Sequence, residues 1–264
     1  MGGFVAPSAV QAARIEKAQV ILVNLDAAPG RANRWISKHA GHVLTTYDMA
    51  DQSTWKKIGP IVRPSAIATH DAVTGREKVG LAKDMPTLVV VGGSLGARTL
   101  NDVMERLVTT QPKLFAGWQV LHQTGEADRD RLAKAYEQAS VPARVVSFWP
   151  SMGEVWGAAD LVIARAGAGT VGEIQANAVP AIFLPYPFHK DQHQRLNAEP
   201  IAKAEGALIV RDSANAEITT QALTPVLQRL LSDNAAREQM RSALQSLGGP
   251  TGADDAADHL FSET

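Results

Sequence analysis

From Pro86 onward, short apolar runs alternate with segments of helical periodicity, and no other feature limits the fold of this chain so tightly. Thr87-Leu-Val-Val-Val91 shows no polar alternation, so it reads as a strand buried on both faces, as in a parallel sheet. Leu100, Val103, Met104, Leu107 and Val108 then recur at helical spacing. Strands are expected at Gln119–His122, Arg144–Val146, Leu161–Ala164, Ala181–Leu184 and Leu208–Val210. Helices fall between them, over 127–139, over 152–159, from Thr170, and over 194–204. A last helix carries Leu223, Val226, Leu227, Leu230 and Leu231 on one stripe. Such alternation predicts an α/β, Rossmann-like, doubly wound parallel sheet with ligands at the carboxyl ends of its strands.

Residues 1–85 are less regular. A helix over Val5–Ile15, strands at Val20–Val23 and Val43–Thr45, a turn at Ala28-Pro-Gly30 and a helix over Asn33–Lys38 are expected. So few strands do not make a stable sheet alone, which reads as part of a Rossmann-like domain. Charges and turn residues over Thr69–Asp84 predict a linker or domain boundary. The expected division is a partial N-terminal domain with linker over 1–84, a ligand-binding domain over 85–250, and a tail helix over 251–264.

Composition narrows the chemistry. The 264 residues are 45% hydrophobic and 20% charged, as in a folded globular chain. A formal net charge of −1 offers no bulk attraction to nucleic acid. Without cysteine there is no disulfide, thiolate nucleophile or zinc–sulfur site. No apolar run reaches the ~18 residues of a membrane-spanning helix. The start, Met1-Gly-Gly-Phe-Val-Ala6, lacks signal-peptide character and has Ala6 where a myristoylation signal needs Ser or Thr.

Three segments carry candidate chemistry. Gly92-Gly-Ser-Leu-Gly-Ala97 follows a strand and opens a helix, which suits either a phosphate cradle or a plain tight turn. Ser94 adds a hydroxyl that can reach a phosphate oxygen. The spacing is not the dinucleotide fingerprint, and no acidic residue closes the second strand about 20 residues on. In Arg165-Ala-Gly-Ala-Gly-Thr-Val-Gly-Glu173, Arg165 either orders the loop or meets phosphate. Ala168 and Gly169 leave the backbone approachable, Thr170 is the expected N-cap, and Glu173 falls in the first turn. A capping box between Thr170 and Glu173 would explain those two residues without any ligand, but not the arginine beside two glycines. Gln194, at the start of the next helix, can bridge sugar hydroxyls or simply face solvent.

Other residues read as structure. His122 is expected as a satisfied core or rim histidine. Trp118, Trp149 and Trp156 are expected to pack, with Trp149 in a loop where a base can dock. His189, Lys190 and Asp191 make a poor metal site and read as a solvated loop.

Together the glycine turn with Ser94, Asn101, Arg165-x-Gly-Ala-x-Thr-x-x-Glu173 and Gln194-x-x-Asn-Ala198 resemble glycosyltransferase family 28, over nearly the whole chain. The match is to its branch that transfers N-acetylglucosamine from UDP-N-acetylglucosamine to a lipid-linked muramoyl-pentapeptide, converting lipid I to lipid II in peptidoglycan biosynthesis. The resemblance implies a two-domain GT-B architecture with the donor held by the second domain, no cofactor, no metal, and peripheral contact with the inner face of the cell membrane. It places Ser94 and Thr170 near the diphosphate, with Arg63 reaching across the cleft. Trp149 takes the loop position that recognises uracil. Ala168, Gly169, Thr170, Val171, Gly172 and Glu173 line diphosphate, sugar and ribose, with Glu173 on the ribose hydroxyls and Gln194 on the sugar. Arg165 and Asn101 support these groups.

The first domain departs from the family. Gly2-Gly-Phe-Val5 matches a Gly-Gly-Tyr motif that normally lies deep inside it, so the front of that domain, with the family's Gly-Gly-His loop, is expected to be missing. Where the family has His-Glu-Gln-Asn, this chain has Val23-Asn-Leu-Asp26, while Asn33 matches. Asp26 and Asn33 are the acceptor-side candidates, and no residue is assigned as the catalytic base. The expectation is an inverting N-acetylglucosaminyltransferase. Its alternatives are a UDP-sugar-binding fragment inactive alone, or a family 28 transferase with another lipid acceptor.

Overall fold

The computed structural model of the protein describes residues 5–49, 51–92, 97–188 and 191–262. These form two compact units, one of the residues up to Ile61 together with those from Gly249 onward, the other Val62–Gly248.

The smaller unit begins with helix α1 (Val5–Ile15), strand β1 (Ile21–Asn24), helix α2 (Arg31–Ile36), strand β2 (His42–Thr45) and the short strand β3 (Lys56–Lys57). The strands make a parallel sheet in the order β1-β2-β3, with Ile21 beside His42 and Asn24 beside Thr45. Ala6 and Val10 of α1 and Ile36 of α2 bury against Leu22, a small core for a small sheet.

The larger unit runs α3 (Ala72–Lys78), β4 (Thr87–Val91), α4 (Arg98–Thr110), β5 (Gln119–Gln123), α5 (Arg129–Gln138), β6 (Ala143–Val146), α6 (Met152–Ala158) and β7 (Leu161–Ala164). It continues with α7 (Ala168–Ala176), β8 (Ala181–Phe183), α8 (His193–Lys203), β9 (Ala207–Ile209), α9 (Ala216–Ser232) and α10 (Asn234–Ser246). Its six strands are all parallel, in the order β6-β5-β4-β7-β8-β9. The chain winds outward from β4 in one direction and from β7 in the other, so the switch point, where such sheets open a crevice, lies between them.

The unbroken apolar run of β4 has a direct cause. Leu88 and Val90 pack on one face with Leu100, Met104 and Leu107 of α4 and Leu223 of α9. Val89 and Val91 pack on the other with Val155 and Trp156 of α6 and Ile174 of α7. Successive side chains alternate faces, and both faces are covered.

Two expectations about organisation change. The charged stretch Thr69–Asp84 is not an extended linker but holds α3, started by Asp71, whose carboxylate accepts from the Thr74 amide at 2.9 Å. Helix α3 sits directly on α6: a Cβ at Gly75 would lie 2.7 Å from the backbone carbon of Gly157, so glycine is what lets them meet. Arg76 then pairs with Asp160 at 2.7 Å, and Asp160 also accepts the Thr87 amide at 2.7 Å. The compact division falls instead between Ile61 and Val62. The tail forms helix α11 (Gly252–Phe261), which belongs to the smaller unit. There Asp255 accepts the Gly59 amide at 2.7 Å and the Thr251 hydroxyl at 2.9 Å, bonds that hold its carboxyl below the usual range.

Candidate functional site

After β7 the chain turns through Arg165, Ala166 and Gly167 and enters α7 at Ala168. The N-cap is Gly167, with extended backbone and no side-chain cap. Thr170 is therefore not the N-cap but the third residue of the helix, and the alternative of a capping box with Glu173 does not form. The chain enters the helix from Gly167, three residues before Thr170, so the threonine hydroxyl stands inside the first turn and not ahead of it.

The first helical bond in this turn is from the Val171 amide to the Gly167 carbonyl, at 2.9 Å. The amides of Ala168, Gly169 and Thr170 precede it at the positive end of the helix, where backbone donors have no intrahelical acceptor. A Cβ at Gly167 or Gly169 would meet no atom of the described residues within 4 Å, so the space before these amides is open among them. Val171 is buried in the core, leaving only its main chain at this end.

Glu173 points elsewhere than to its own helix end. One carboxylate oxygen accepts the Trp156 indole N–H at 3.0 Å, and the other lies 3.5 Å from Arg63 Nη2. The Glu173 side chain is 13% exposed and that of Arg63 75%. Arg63 belongs to the same compact unit as Glu173, so it does not reach α7 from another domain.

Of the two roles open to Arg165, the structure selects loop ordering. The residue is 6% exposed. Its Nη1 donates to the Leu184 carbonyl at 2.7 Å and, more weakly, to that of Pro185 at 3.4 Å. Its Nη2 bonds the Thr99 hydroxyl and lies 2.8 Å from the Asp212 carboxylate. The guanidinium carbon stands 5.8 Å from the Tyr186 ring centroid. Gln194 ties the same loop, its Oε1 accepting the Tyr186 amide at 2.9 Å, and buried Asn197 donates to the Ala166 carbonyl at 3.2 Å. Thr99 and Asp212 were not legible in advance, their one signal being position just beyond the ends of β4 and β9.

Asn101 is fully buried and faces the protein. Its Nδ2 donates to the Thr124 carbonyl at 2.9 Å and to Asp128 at 2.8 Å, fastening α4 to the end of β5. Its Oδ1 must then accept from His122 Nε2 at 3.2 Å, which leaves His122 Nδ1 to accept the Tyr136 hydroxyl at 3.1 Å. Burial pushes His122 down to about 3, so it is neutral, and pushes the Tyr136 hydroxyl well above its usual value. Burial also pushes Asp128 upward, but the bonds from Asn101 and Arg131 outweigh it and hold the carboxyl below the ordinary value. His122 is the satisfied core histidine expected of it.

Trp149 packs through both ends of its residue. Its amide donates to Gln123 Oε1 at 3.1 Å, its indole to Glu154 at 3.0 Å, and the Arg144 guanidinium sits 5.1 Å from its ring centroid. Trp149, Phe148, Arg129, Arg144 and Glu154 border an open cavity of about 430 Å³ beyond the end of β6. Ser94 lies outside the described residues, as do His189 and Lys190. Among the described residues no group of three His, Cys, Asp or Glu side chains could hold a metal ion.

Residues 87–259 match the glycosyltransferase family 28 C-terminal domain. The chain belongs to glycosyltransferase family 28. It is 34% identical over 252 residues to the UDP-N-acetylglucosamine--N-acetylmuramyl-(pentapeptide) pyrophosphoryl-undecaprenol N-acetylglucosamine transferase of Streptomyces coelicolor, covering 94% of this chain and 67% of that protein. The enzyme of the same name from Methylococcus capsulatus is 32% identical over 265 residues, covering 97% and 70%. Among solved structures, Acinetobacter baumannii MurG has a TM-score of 0.76 and 28% identity, covering 100% of this chain and 72% of that one. The fold is thus the α/β, GT-B-type one expected. A putative UDP-N-acetylglucosamine 2-epimerase from Listeria monocytogenes, at TM-score 0.62 and 14% identity, shares the fold alone.

In this family 28 chain the smaller unit gathers a second polar group at a strand end. Asn24, closing β1, donates to the Asp26 carbonyl at 2.7 Å and the Thr45 hydroxyl at 3.3 Å. Asn33 of α2 donates to Asn24 Oδ1 at 2.9 Å. Asn33 and the backbone of Asp26 therefore meet at one strand end, through an asparagine that sequence reasoning passed over. No helix of the described residues is long and apolar enough to cross a membrane.

Proposed function

We propose that this chain binds UDP-N-acetylglucosamine at the carboxyl edge of the six-stranded sheet and transfers the sugar, with inversion, to a lipid-linked muramoyl-pentapeptide. The observation that carries the reading is the uncapped start of α7 beside the switch point between β4 and β7. Its leading amides face open space, where a helix end favours an anion such as a diphosphate. The family membership and the names of the relatives supply the substrate class.

In the reaction a base takes the proton of the acceptor hydroxyl, the oxygen attacks the anomeric carbon, and UDP departs with the bonding electron pair. The amides of Ala168, Gly169 and Thr170 stabilise the charge developing on the leaving diphosphate. Arg63 is itself exposed and lies a loose 3.5 Å from Glu173, so its guanidinium is available to the same anion at little cost. Glu173 and Gln194 meet ribose and sugar hydroxyls, and Ser94 adds a hydroxyl at the diphosphate. Because the acceptor is lipid-linked, the reading includes peripheral contact with the inner face of the membrane.

Release of UDP from UDP-N-acetylglucosamine, measured with and without the lipid-linked acceptor, tests this directly. Acceptor-dependent release is expected, and absence of UDP binding by isothermal titration would sink the donor site itself. A second reading is favoured by the three-stranded sheet of the smaller unit and the 67–70% span of the relatives: donor binding without turnover by this chain alone. UDP binding with no acceptor-dependent release would select it.

A further inference from the structure

We propose that Asp212 and Thr99 are positioning residues of the donor site, acting through Arg165; this rests on the donor-site reading above. The Arg165 guanidinium joins groups from four neighbouring strand ends. Thr99 stands in the first turn of α4 beyond β4, Arg165 itself follows β7, Leu184 and Pro185 follow β8, and Asp212 follows β9. One planar cation therefore sets the spacing of the loops on both sides of the switch point.

Asp212 is anchored independently of the arginine. Its side chain is 1% exposed. Oδ2 accepts the Thr99 hydroxyl at 2.8 Å, so Thr99, Arg165 and Asp212 close a triangle. Oδ1 accepts the Ala214 amide at 2.7 Å and lies 3.4 Å from the Thr219 hydroxyl at the start of α9. Ala214 itself is held at φ 58°, left-handed backbone that the Asp212 bond accompanies. Fixity passes from α9 to Asp212, from Asp212 to Arg165, and from Arg165 to the carbonyls of Leu184 and Pro185. The next amide along, that of Tyr186, is the one Gln194 holds.

A buried ion pair of this kind adds little net stability over an apolar pair of similar size. What it supplies is direction: hydrogen bonds that apolar packing cannot replace, aimed at main-chain atoms of the loops that receive the donor. Neither Asp212 nor Thr99 needs to touch the donor for its removal to be felt there.

The test is isothermal titration of UDP into the full chain and into Asp212→Asn, Thr99→Val and the double variant Arg165→Met/Asp212→Leu, each held well below its melting midpoint. UDP Kd is expected to rise about tenfold in Asp212→Asn, a loss of the size that small misplacements of site loops produce. Thr99→Val should raise it several-fold. The double variant should regain the melting midpoint lost in Asp212→Asn while its Kd stays raised, since packing is restored but the aimed bonds are not. Recovery of UDP affinity in the double variant, or wild-type affinity in the single ones, would overturn the proposal and leave the donor site standing. Failure of the unaltered chain to bind UDP would instead remove the donor-site reading, and this inference with it.

Discussion

The two units finish their strands in contrasting ways. In the larger one the strand ends are gathered by charge, with the Arg165 guanidinium and the Asp212 carboxylate buried at the edge of a sheet that has a deep apolar layer on each face. In the smaller one they are gathered by amides and a hydroxyl, Asn33 to Asn24 to Thr45, above a core of Ala6, Val10, Leu22 and Ile36. A buried charge is costly unless it is paired and hydrogen-bonded, and Arg165 meets this through both terminal nitrogens while its Nε has no partner among the described residues. Neutral hydrogen bonds ask less of their surroundings and return about 1 kcal/mol each. The edge gathered by charge is thus the one built on the thick core, and it is the edge proposed to receive the donor.

The comparison breaks most readily at the cores. Ile163→Ala, at a fully buried position in the middle of β7, should cost about 3–4 kcal/mol by denaturant unfolding, against roughly 1 kcal/mol for Val10→Ala in α1. Equal losses would mean that the small core matters as much as the large one.

Acid should next distinguish the larger unit, through its buried His122, from the polar group of the smaller one. His122 is held neutral with its value lowered from 6.5 to about 3, so the folded chain binds fewer protons than the unfolded chain between those values. Its contribution is present above pH 6.5 and is lost as pH falls toward 3, at up to ~1.4 kcal/mol per pH unit. His122→Gln should therefore show a shallower fall in stability from pH 6 to pH 4 than the unaltered chain. Parallel curves would mean that His122 charges freely in the folded state. The Asn33–Asn24–Thr45 chain contains nothing that titrates in this range.

Ligand affinity sharpens the same contrast. Glu173→Gln keeps an acceptor for the Trp156 indole but removes the charge facing Arg63 and, on the proposed reading, the ribose. UDP Kd should rise roughly tenfold, ~1.4 kcal/mol, by isothermal titration. An unchanged Kd would take Glu173 out of the donor site. The smallest effect belongs to Asn33→Ala, which removes one hydrogen bond and should cost about 1 kcal/mol of stability while leaving UDP affinity within a factor of about two. A large loss of UDP binding there would place the amide group in the donor site after all.

Much of this was readable from residue order. The alternation after Pro86 predicted the strands of the parallel sheet to within a residue or two, because a strand with both faces covered leaves an unmistakably apolar run. The loop after β7 reads from its two glycines as a close-approach turn into a helix, and the structure places that helix start at Ala168 with Gly167 and Gly169 in open space among the described residues. Thr170 was misjudged as a cap because a hydroxyl near a helix start looks the same at the first position and the third. The stretch Thr69–Asp84 was misjudged because charge suggests solvent, whereas Arg76 has a partner at Asp160, far along the chain.

What the order of residues determined by itself was the kind of fold and a candidate edge of the sheet, since period-two and period-3.6 patterns and glycine turns are local properties. The tertiary structure alone decided which side chains at that edge are spent inside the protein. Arg165 could have met a phosphate until Thr99, Leu184 and Asp212 were brought around it, and Asn101 could have faced a ligand until Thr124, Asp128 and His122 closed on it. Those partners come from separate elements, and only the packed sheet sets them within hydrogen-bonding distance.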